Sequence, residues 1–279
     1  MKEFEGISGV PRFSAEEFAG KSSKYCMLIP ILNEHGRIEK ELERAVLHGV
    51  DQLCDIVICD GGSTDGSTDS SLLEKYHVNT LLVKNDVGKQ GAQLRMGFWW
   101  AVQRGYEGII TIDGNNKDSI EDAYTFVEKL EAGFDFVQGS RFIKGGKAEN
   151  TPPIRHLAVK LIHAPIISQT ARKNYTDTTN AYRAYSRKYI LHPDVQIFRD
   201  IFMTYELLAY LSVRADQLSL MTCEVPVSRV YPRNEKTPTK ISPIKGSFSL
   251  LAILFRNLFG KYLPDTDGQE KGRPKGNGQ

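Results

Sequence analysis

Three carboxylates stand at the ends of apolar runs. Glu34 follows residues 26–29 through Pro30-Ile31-Leu32-Asn33, Asp60 follows residues 55–59, and Asp113 follows Gly108-Ile109-Ile110-Thr111-Ile112. A short β-branched run bounded by polar residues reads as a buried parallel strand. Open α/β sheets bind ligands outside the carboxyl ends of their strands. Three acidic strand ends on one edge therefore point to a nucleotide and a cation. Glu34 and Asp60 could accept hydrogen bonds from a base and a ribose. Asp113 could ligate a divalent cation bridging two phosphates, because hard cations take oxygen ligands. The ordinary reading of Asp60-Gly61-Gly62-Ser63-Thr64-Asp65-Gly66-Ser67 is an Asx-rich turn with a helix cap. Beside Glu34 and Asp113, the functional reading is preferred.

Cations gather later in the chain. Arg141, Lys144 and Lys147 lie in a polar loop at 139–153, and Arg229, Arg233, Lys236, Lys240, Lys245, Arg256 and Lys261 follow with few acids between them. That imbalance suits an anionic ligand or an anionic lipid surface. Asp177 could orient an arginine, help position an acceptor or serve as a base; a turn carboxylate is the plain alternative. Glu206 could reach the site or face water. His156 and His163 are seven apart and could share a helix face, with a structural role preferred. Trp99 and Trp100 read as core.

The elements that would position these groups alternate. Strands are expected at 25–29, 55–59, 80–83, 108–112 and 134–138, with helices at 37–50, 69–76 and 88–104 and one reaching 131 from a cap at Asp118 or Ser119. Such β-α-β alternation means a parallel sheet with right-handed crossovers. The second half is less regular. Helices are expected at 154–170 and 198–213, strands at 178–185 and 217–225, and a cationic loop at 231–243. Residues 1–23 read as an arm or a loose helix at 14–19.

The 279 residues suffice for a sizeable core, and the formal charge of +2 is too balanced for a nucleic-acid binder. The four cysteines show no metal-like spacing, and no apolar stretch reaches the ~20 residues of a membrane span. A cytoplasmic location is expected, with peripheral attachment at the inner face of the membrane as one option. The strand after which a dinucleotide fingerprint would stand lacks G-x-G-x-x-G, and Gly61-Gly62 has no P-loop lysine. A dehydrogenase and a P-loop NTPase are both disfavoured.

Six motifs in order carry a resemblance: Ile29-Pro30-Ile31-Leu32-Asn33-Glu34, Asp60 to Ser67, Gly88-Lys89-Gln90-Gly91, Ile112-Asp113-Gly114-Asn115, Gly139-Ser140-Arg141-Phe142, and Asp177-Thr178-Thr179-Asn180-Ala181-Tyr182-Arg183. From about Cys26 to Lys240 the chain resembles the family-2 glycosyltransferases of GT-A fold, most closely the dolichyl- or polyprenyl-phosphate mannosyl- and glucosyltransferase group. The resemblance implies an α/β fold with a mostly parallel sheet and a GT-A domain over 24–243; beyond it the residues themselves suggest an amphipathic helix over 244–263 and a disordered tail over 264–279. It implies inverting transfer from a nucleotide-sugar to a polyprenyl phosphate. A saccharide hydroxyl acceptor and a non-catalytic nucleotide-sugar binding protein are the alternatives.

By the same resemblance, the nucleotide side comprises Pro30, Leu32, Glu34, Asp60, Gly88, Lys89, Asp113, Gly114, Asn115, Lys117, Arg233 and Lys240. Asp113, Arg141, Arg155 and Asp177 form the catalytic set, with Arg141 and Arg155 on the acceptor phosphate. Asp113 and Asn115 would hold Mg²⁺ or Mn²⁺. The second carboxylate of the family's D-x-D motif is here an amide, Asn115, and Lys117 stands where a metal-binding Gln is often found. A protonated lysine cannot ligate a cation. Pointing inward, Lys117 could neutralise the pyrophosphate itself. The apolar run Phe248 to Phe259 is expected to lie on a membrane surface, to dock on the domain, or to join a second subunit as a homo-oligomer.

Overall fold

The computed structural model describes residues 1–232 and 245–264, with the backbone alone at 154, 155 and 245–247. Its strands are β1 (Lys2–Phe4), β2 (Phe13–Glu17), β3 (Tyr25–Ile31), β4 (Asp55–Asp60), β5 (Thr80–Lys84), β6 (Gly108–Thr111), β7 (Phe136–Ser140), β8 (Lys147–Glu149), β9 (Arg183–Ser186), β10 (Thr222–Pro226) and β11 (Ser228–Val230). Its helices are α1 (Ile38–Leu47), α2 (Val50–Leu53), α3 (Ser70–Lys75), α4 (Gln90–Gln103), α5 (Ala123–Glu131), α6 (Pro153–Ala158), α7 (Ala164–Ala171), α8 (Arg187–Ile190), α9 (Glu206–Gln217) and α10 (Lys245–Leu258).

Nine of the described strands form one sheet in the order β1-β2-β5-β4-β3-β6-β9-β7-β10. The β3, β4, β5 and β6 neighbours pair in parallel, as do β7 and β10. β2 and β9 run against their neighbours. The period-2 pleat of β3 divides the core into two layers. Cys26 and Leu28 pack with Met96, Phe98 and Trp100 of α4 on one face. Met27 and Ile29 pack with Ile38 and Leu42 of α1 on the other. Every residue of β4 is buried, as the apolar run anticipates for a central strand.

Four expectations change. Residues 14–19 are neither an arm nor a loose helix: β2 occupies Phe13–Glu17, and Phe13 stacks on Phe4 at 4.8 Å, so aromatic packing onto α4 overrides weak local patterning. The strand expected at 178–185 is the shorter β9 and runs antiparallel. The helix expected from 198 begins at Glu206. The single helix expected at 154–170 is α6 and α7 joined by a π-helical stretch, Val159–His163. Trp100 is core, as expected, at 1% exposure.

Topology sets the site. The carboxyl ends of β3, β4, β5, β6, β7 and β10 lie at one edge, and antiparallel β9 begins there. The connections after Ile31, Asp60, Lys84, Thr111, Ser140 and Pro226 and the one before Arg183 therefore meet there.

Candidate active site

The loop after β3 and the loop after β4 are latched together. Asn33 N–H donates to Ser63 Oγ at 2.8 Å, Thr64 N–H donates to Asn33 Oδ1 at 2.8 Å, and His35 N–H donates to Asp65 Oδ2 at 2.9 Å. Asp60, 1% exposed, accepts from Gly62 N–H at 2.8 Å and from Ser63 N–H at 2.9 Å. It thus also serves the Asx-type turn of its own loop. Glu34 is buried and accepts from Arg37 Nε at 2.5 Å. Pro30 is half-buried, and Leu32 is exposed at the strand end.

The first turn of α4 braces these ends. Gln93 donates through Nε2 to Ile31 O at 2.7 Å and to Cys59 O at 2.8 Å, and Gln90 Nε2 donates to Asp113 Oδ1 at 2.9 Å. Gly88 has φ +99, and an added Cβ would meet Ala92 Cβ at 2.7 Å. Lys89 is exposed, and its N–H donates to Met203 O at 2.8 Å. Gly114 lies against β3, where a Cβ would fall 2.5 Å from Ile31 Cγ2, so the strand end and the Asp113 turn can approach only if residue 114 is glycine.

Beneath the Asp113 turn lies a charge cluster. Asn116 N–H donates to Glu41 Oε2 at 2.7 Å, and Arg44 NH1 donates to Asn116 Oδ1 at 3.1 Å. Burial drives the Glu41 carboxyl well above the usual range, opposed by the Asn116 N–H and reinforced by Asp118 and Asp113. The expected cap at Asp118 or Ser119 forms no side-chain bond to the helix; Asp118, fully buried, pairs instead with Arg229. Arg229 also reaches Asp113, NH2 to Oδ2, at 3.5 Å. Burial pulls the Arg229 guanidinium down, and Asp118 and Asp113 more than restore it, so it titrates above its ordinary range. Lys117 points inward: it is 5% exposed with Nζ 5.4 Å from the Tyr231 ring.

The other half of the edge is an arginine clamp. Arg141 donates to Asp177 through Nε at 2.6 Å and NH2 at 2.9 Å, and to Thr179 Oγ1 at 3.0 Å. Both partners are almost fully buried. Both oxygens of Asp177 accept from Arg141, a geometry that suits the expected role of orienting the arginine better than that of a base. Arg183 donates to the carbonyls of Thr178, Asn180 and Leu208 at 3.1, 3.0 and 2.7 Å and fixes the intervening loop. Glu206 is likewise a local brace, accepting from Thr204 N–H at 2.6 Å. Beyond Thr176 opens a groove of about 1000 Å³ that carries His156, Lys160, Arg172 and Lys173. Arg155 lies on α6, and its side chain is outside the described residues, as are Arg233 and Lys240.

A divalent cation would need hard oxygens. Asn115 Oδ1 is buried without a hydrogen-bond partner among the described residues, two positions from the 25%-exposed Asp113 carboxylate. These two oxygens fit such an ion, with phosphate oxygens completing its shell. No group of three or more His, Cys, Asp or Glu side chains that could hold a metal occurs among the described residues.

The sequence reading missed Gln90, Gln93, Glu41 and the pairing of Arg229. The last had a signal: Val227, Arg229 and Tyr231 alternate with half-buried or exposed neighbours, so strand periodicity puts the arginine on the inward face.

Known proteins bear out the architecture. The fold matches glucosyl-3-phosphoglycerate synthase from Mycobacterium tuberculosis, solved with Mn²⁺, UDP and glucosyl-3-phosphoglycerate, with a TM-score of 0.60 over 88% of this chain and 82% of that one at 16% identity. A polyprenol monophosphomannose synthase of Mycolicibacterium smegmatis is 28% identical over 58% of this chain and 61% of its own length. An undecaprenyl-phosphate mannosyltransferase of Micrococcus luteus is 27% identical over 73% of this chain and 82% of its own. Residues 26–192 match the profile of Glycosyl transferase family 2. The sheet, its flanking helices and this match together make the chain a GT-A glycosyltransferase, a member of Glycosyl transferase family 2.

Proposed function

We propose that this enzyme transfers a sugar from a nucleotide-sugar to a polyprenyl phosphate at a membrane surface, with inversion. The observation that carries the reading is the buried Arg141–Asp177 clamp beside a groove bearing four basic side chains. An ionised phosphate needs cations and no general base, whereas a saccharide hydroxyl needs a carboxylate to take its proton. Asp177 is committed to Arg141 through both oxygens, which favours the phosphate. The names of the mycolicibacterial and micrococcal relatives speak for the same acceptor.

In this reading Pro30, Leu32, Glu34 and Asp60 receive the nucleoside. Gly88, Lys89, Asp113, Gly114, Asn115 and Lys117 receive the diphosphate, together with Arg233 and Lys240. Arg141 and Arg155 hold the acceptor phosphate. Its oxygen attacks the anomeric carbon from the face opposite the leaving group, the bond from that carbon to the diphosphate oxygen breaks, and the nucleoside diphosphate departs with the electron pair. Holding both partners in line supplies much of the acceleration, and fixed cations stabilise the charge that grows on the leaving group. When bound, Mg²⁺ or Mn²⁺ at Asp113 and Asn115 would add to that neutralisation. The exposed Leu157, Leu161 and Ile162 beside Lys160, and Phe248, Phe255 and Phe259 on and beside α10, suit peripheral contact with a bilayer.

The test is transfer of radiolabelled sugar from UDP- and GDP-sugars to a purified polyprenyl phosphate in detergent. Label in the lipid fraction, lost in Arg141→Gln, supports the reading. Label appearing only in added oligosaccharide selects the hydroxyl acceptor. Nucleotide-sugar binding with no transfer to either leaves a binding protein.

A further inference from the structure

We propose that Arg229 is a built-in cation for the nucleotide diphosphate: held by Asp118, its guanidinium shares Asp113 with any divalent ion, so that nucleotide binding depends only weakly on metal. The proposal rests on the nucleotide-sugar reading.

The mount of Arg229 is rigid. β11 pairs in parallel with β8 and is also stitched to the Asp113 turn, Ser119 N–H donating to Ser228 O at 3.0 Å and Val230 N–H to Lys117 O at 2.8 Å. Asp118 takes one end of the guanidinium, and the other end lies 3.5 Å from Asp113 Oδ2. Asp113 is the less buried of the two carboxylates, with a quarter of its side chain exposed against none of Asp118. Arg229 thus bridges a fully buried carboxylate and a partly exposed one.

The local charge argues the same way. Asp113, Asp118 and Arg229 sum to one negative charge, and the buried Lys117 cancels it. The amide at Asn115 adds none. A dication on Asp113 would therefore meet no excess of negative charge and would stand near a fixed guanidinium, a repulsion that falls only as the inverse of distance. A diphosphate meets the opposite situation. Two buried cations flank Tyr231, Lys117 Nζ at 5.4 Å and Arg229 Cζ at 5.6 Å from its ring centroid. Arginine is also suited to phosphate by its planar fork of donors and its weak hydration. A guanidinium present only to tie β11 to the turn would need Asp118 alone.

The experiment is calorimetric titration of UDP and GDP into the protein, once in EDTA and once in Mn²⁺, with free Mn²⁺ followed separately by electron paramagnetic resonance. Arg229→Gln is compared with Asp118→Asn/Arg229→Gln, in which no buried carboxylate is left unpaired, and both are checked by circular dichroism. The parent is expected to bind the better nucleotide within about threefold in the two media, a difference under ~1 kcal/mol. The double variant is expected to lose about tenfold or more in EDTA, to recover in Mn²⁺ and to bind Mn²⁺ more tightly than the parent. A parent that loses tenfold in EDTA, or a folded double variant that is as metal-independent as the parent, overturns the proposal while leaving the donor reading intact. A parent that binds neither nucleotide in either medium overturns the donor reading and the proposal with it.

Discussion

Lys117 and Asp177 show what single residues disclose. The sequence left open whether Lys117 points in or out, since a helix-flanking lysine is usually solvated; burial beside Tyr231 decides for inward. Lys117→Gln is therefore expected to make transfer more dependent on Mg²⁺ or Mn²⁺, read as the ratio of rates with metal and with EDTA. The Asp177–Arg141 pair belongs to the same scale. Arg141→Gln strands a fully buried carboxylate and should cost about 3–5 kcal/mol of stability, measured by urea denaturation, with a smaller loss when Asp177→Asn accompanies it. Glu41 was legible only as a polar position in an amphipathic helix, because nothing local announces that a turn 75 residues away closes over it. Its folded pKa lies above its unfolded one, so the native state binds the extra proton and stability falls as pH rises from about 4.3, the unfolded value, toward the folded one. Glu41→Gln should accordingly raise the melting temperature at pH 7.5, and the gain should vanish below pH 4. Equal melting curves at both pH values would remove the protonated-carboxyl account.

At the scale of elements, the first half of the chain was read more closely than the second, where β7, β9 and β10 were expected as strands but with shifted bounds. β3, β4, β5 and β6 are apolar runs with local turn signals, and each lies within a few residues of its expected place. β2 has no such signature, and for β9 the strand was legible but its extent and direction were not, because their place depends on partners far away: Phe13 on Phe4 and Trp99, and Arg183 on the carbonyls of a loop and of α9. The π-helical stretch between α6 and α7 likewise has no local cue. The carboxylate-bearing strand ends of the site were thus visible, and the clamps that join them were not. Gly114 tests how tightly the elements close. Gly114→Ala would drive a methyl group into Ile31, and overpacking of this kind costs about 1–3 kcal/mol. Because the methyl also pushes the Asp113 turn away from β3, nucleotide affinity should fall further than the loss of stability explains. Parallel thermal and calorimetric titrations would detect that excess, and an unchanged affinity would count against the placement of the turn.

For the whole molecule, no helix among the described residues is long and apolar enough to cross a membrane. In the proposed reading, the exposed apolar side chains of α6, the π-helical stretch and α10 make the membrane contact. α7 and α10 pack together, so these side chains belong to one helical layer. In flotation with vesicles rich in anionic lipid, the protein should rise with the lipid, and Leu161→Glu with Phe255→Glu should leave it at the bottom of the gradient. Flotation undiminished by the two charges would move the contact elsewhere. The clamps across the site have a further consequence, and it concerns time. Arg229 and Asp118 are 111 residues apart in the chain, and Arg141 and Asp177 are 36 apart. Pairs so distant close only after long loops have been brought together, and non-local contacts of this kind slow folding. The helices should therefore return first when the denatured chain is diluted from urea. Nucleotide binding should lag behind them, because the residues that would grip the diphosphate are the last to meet.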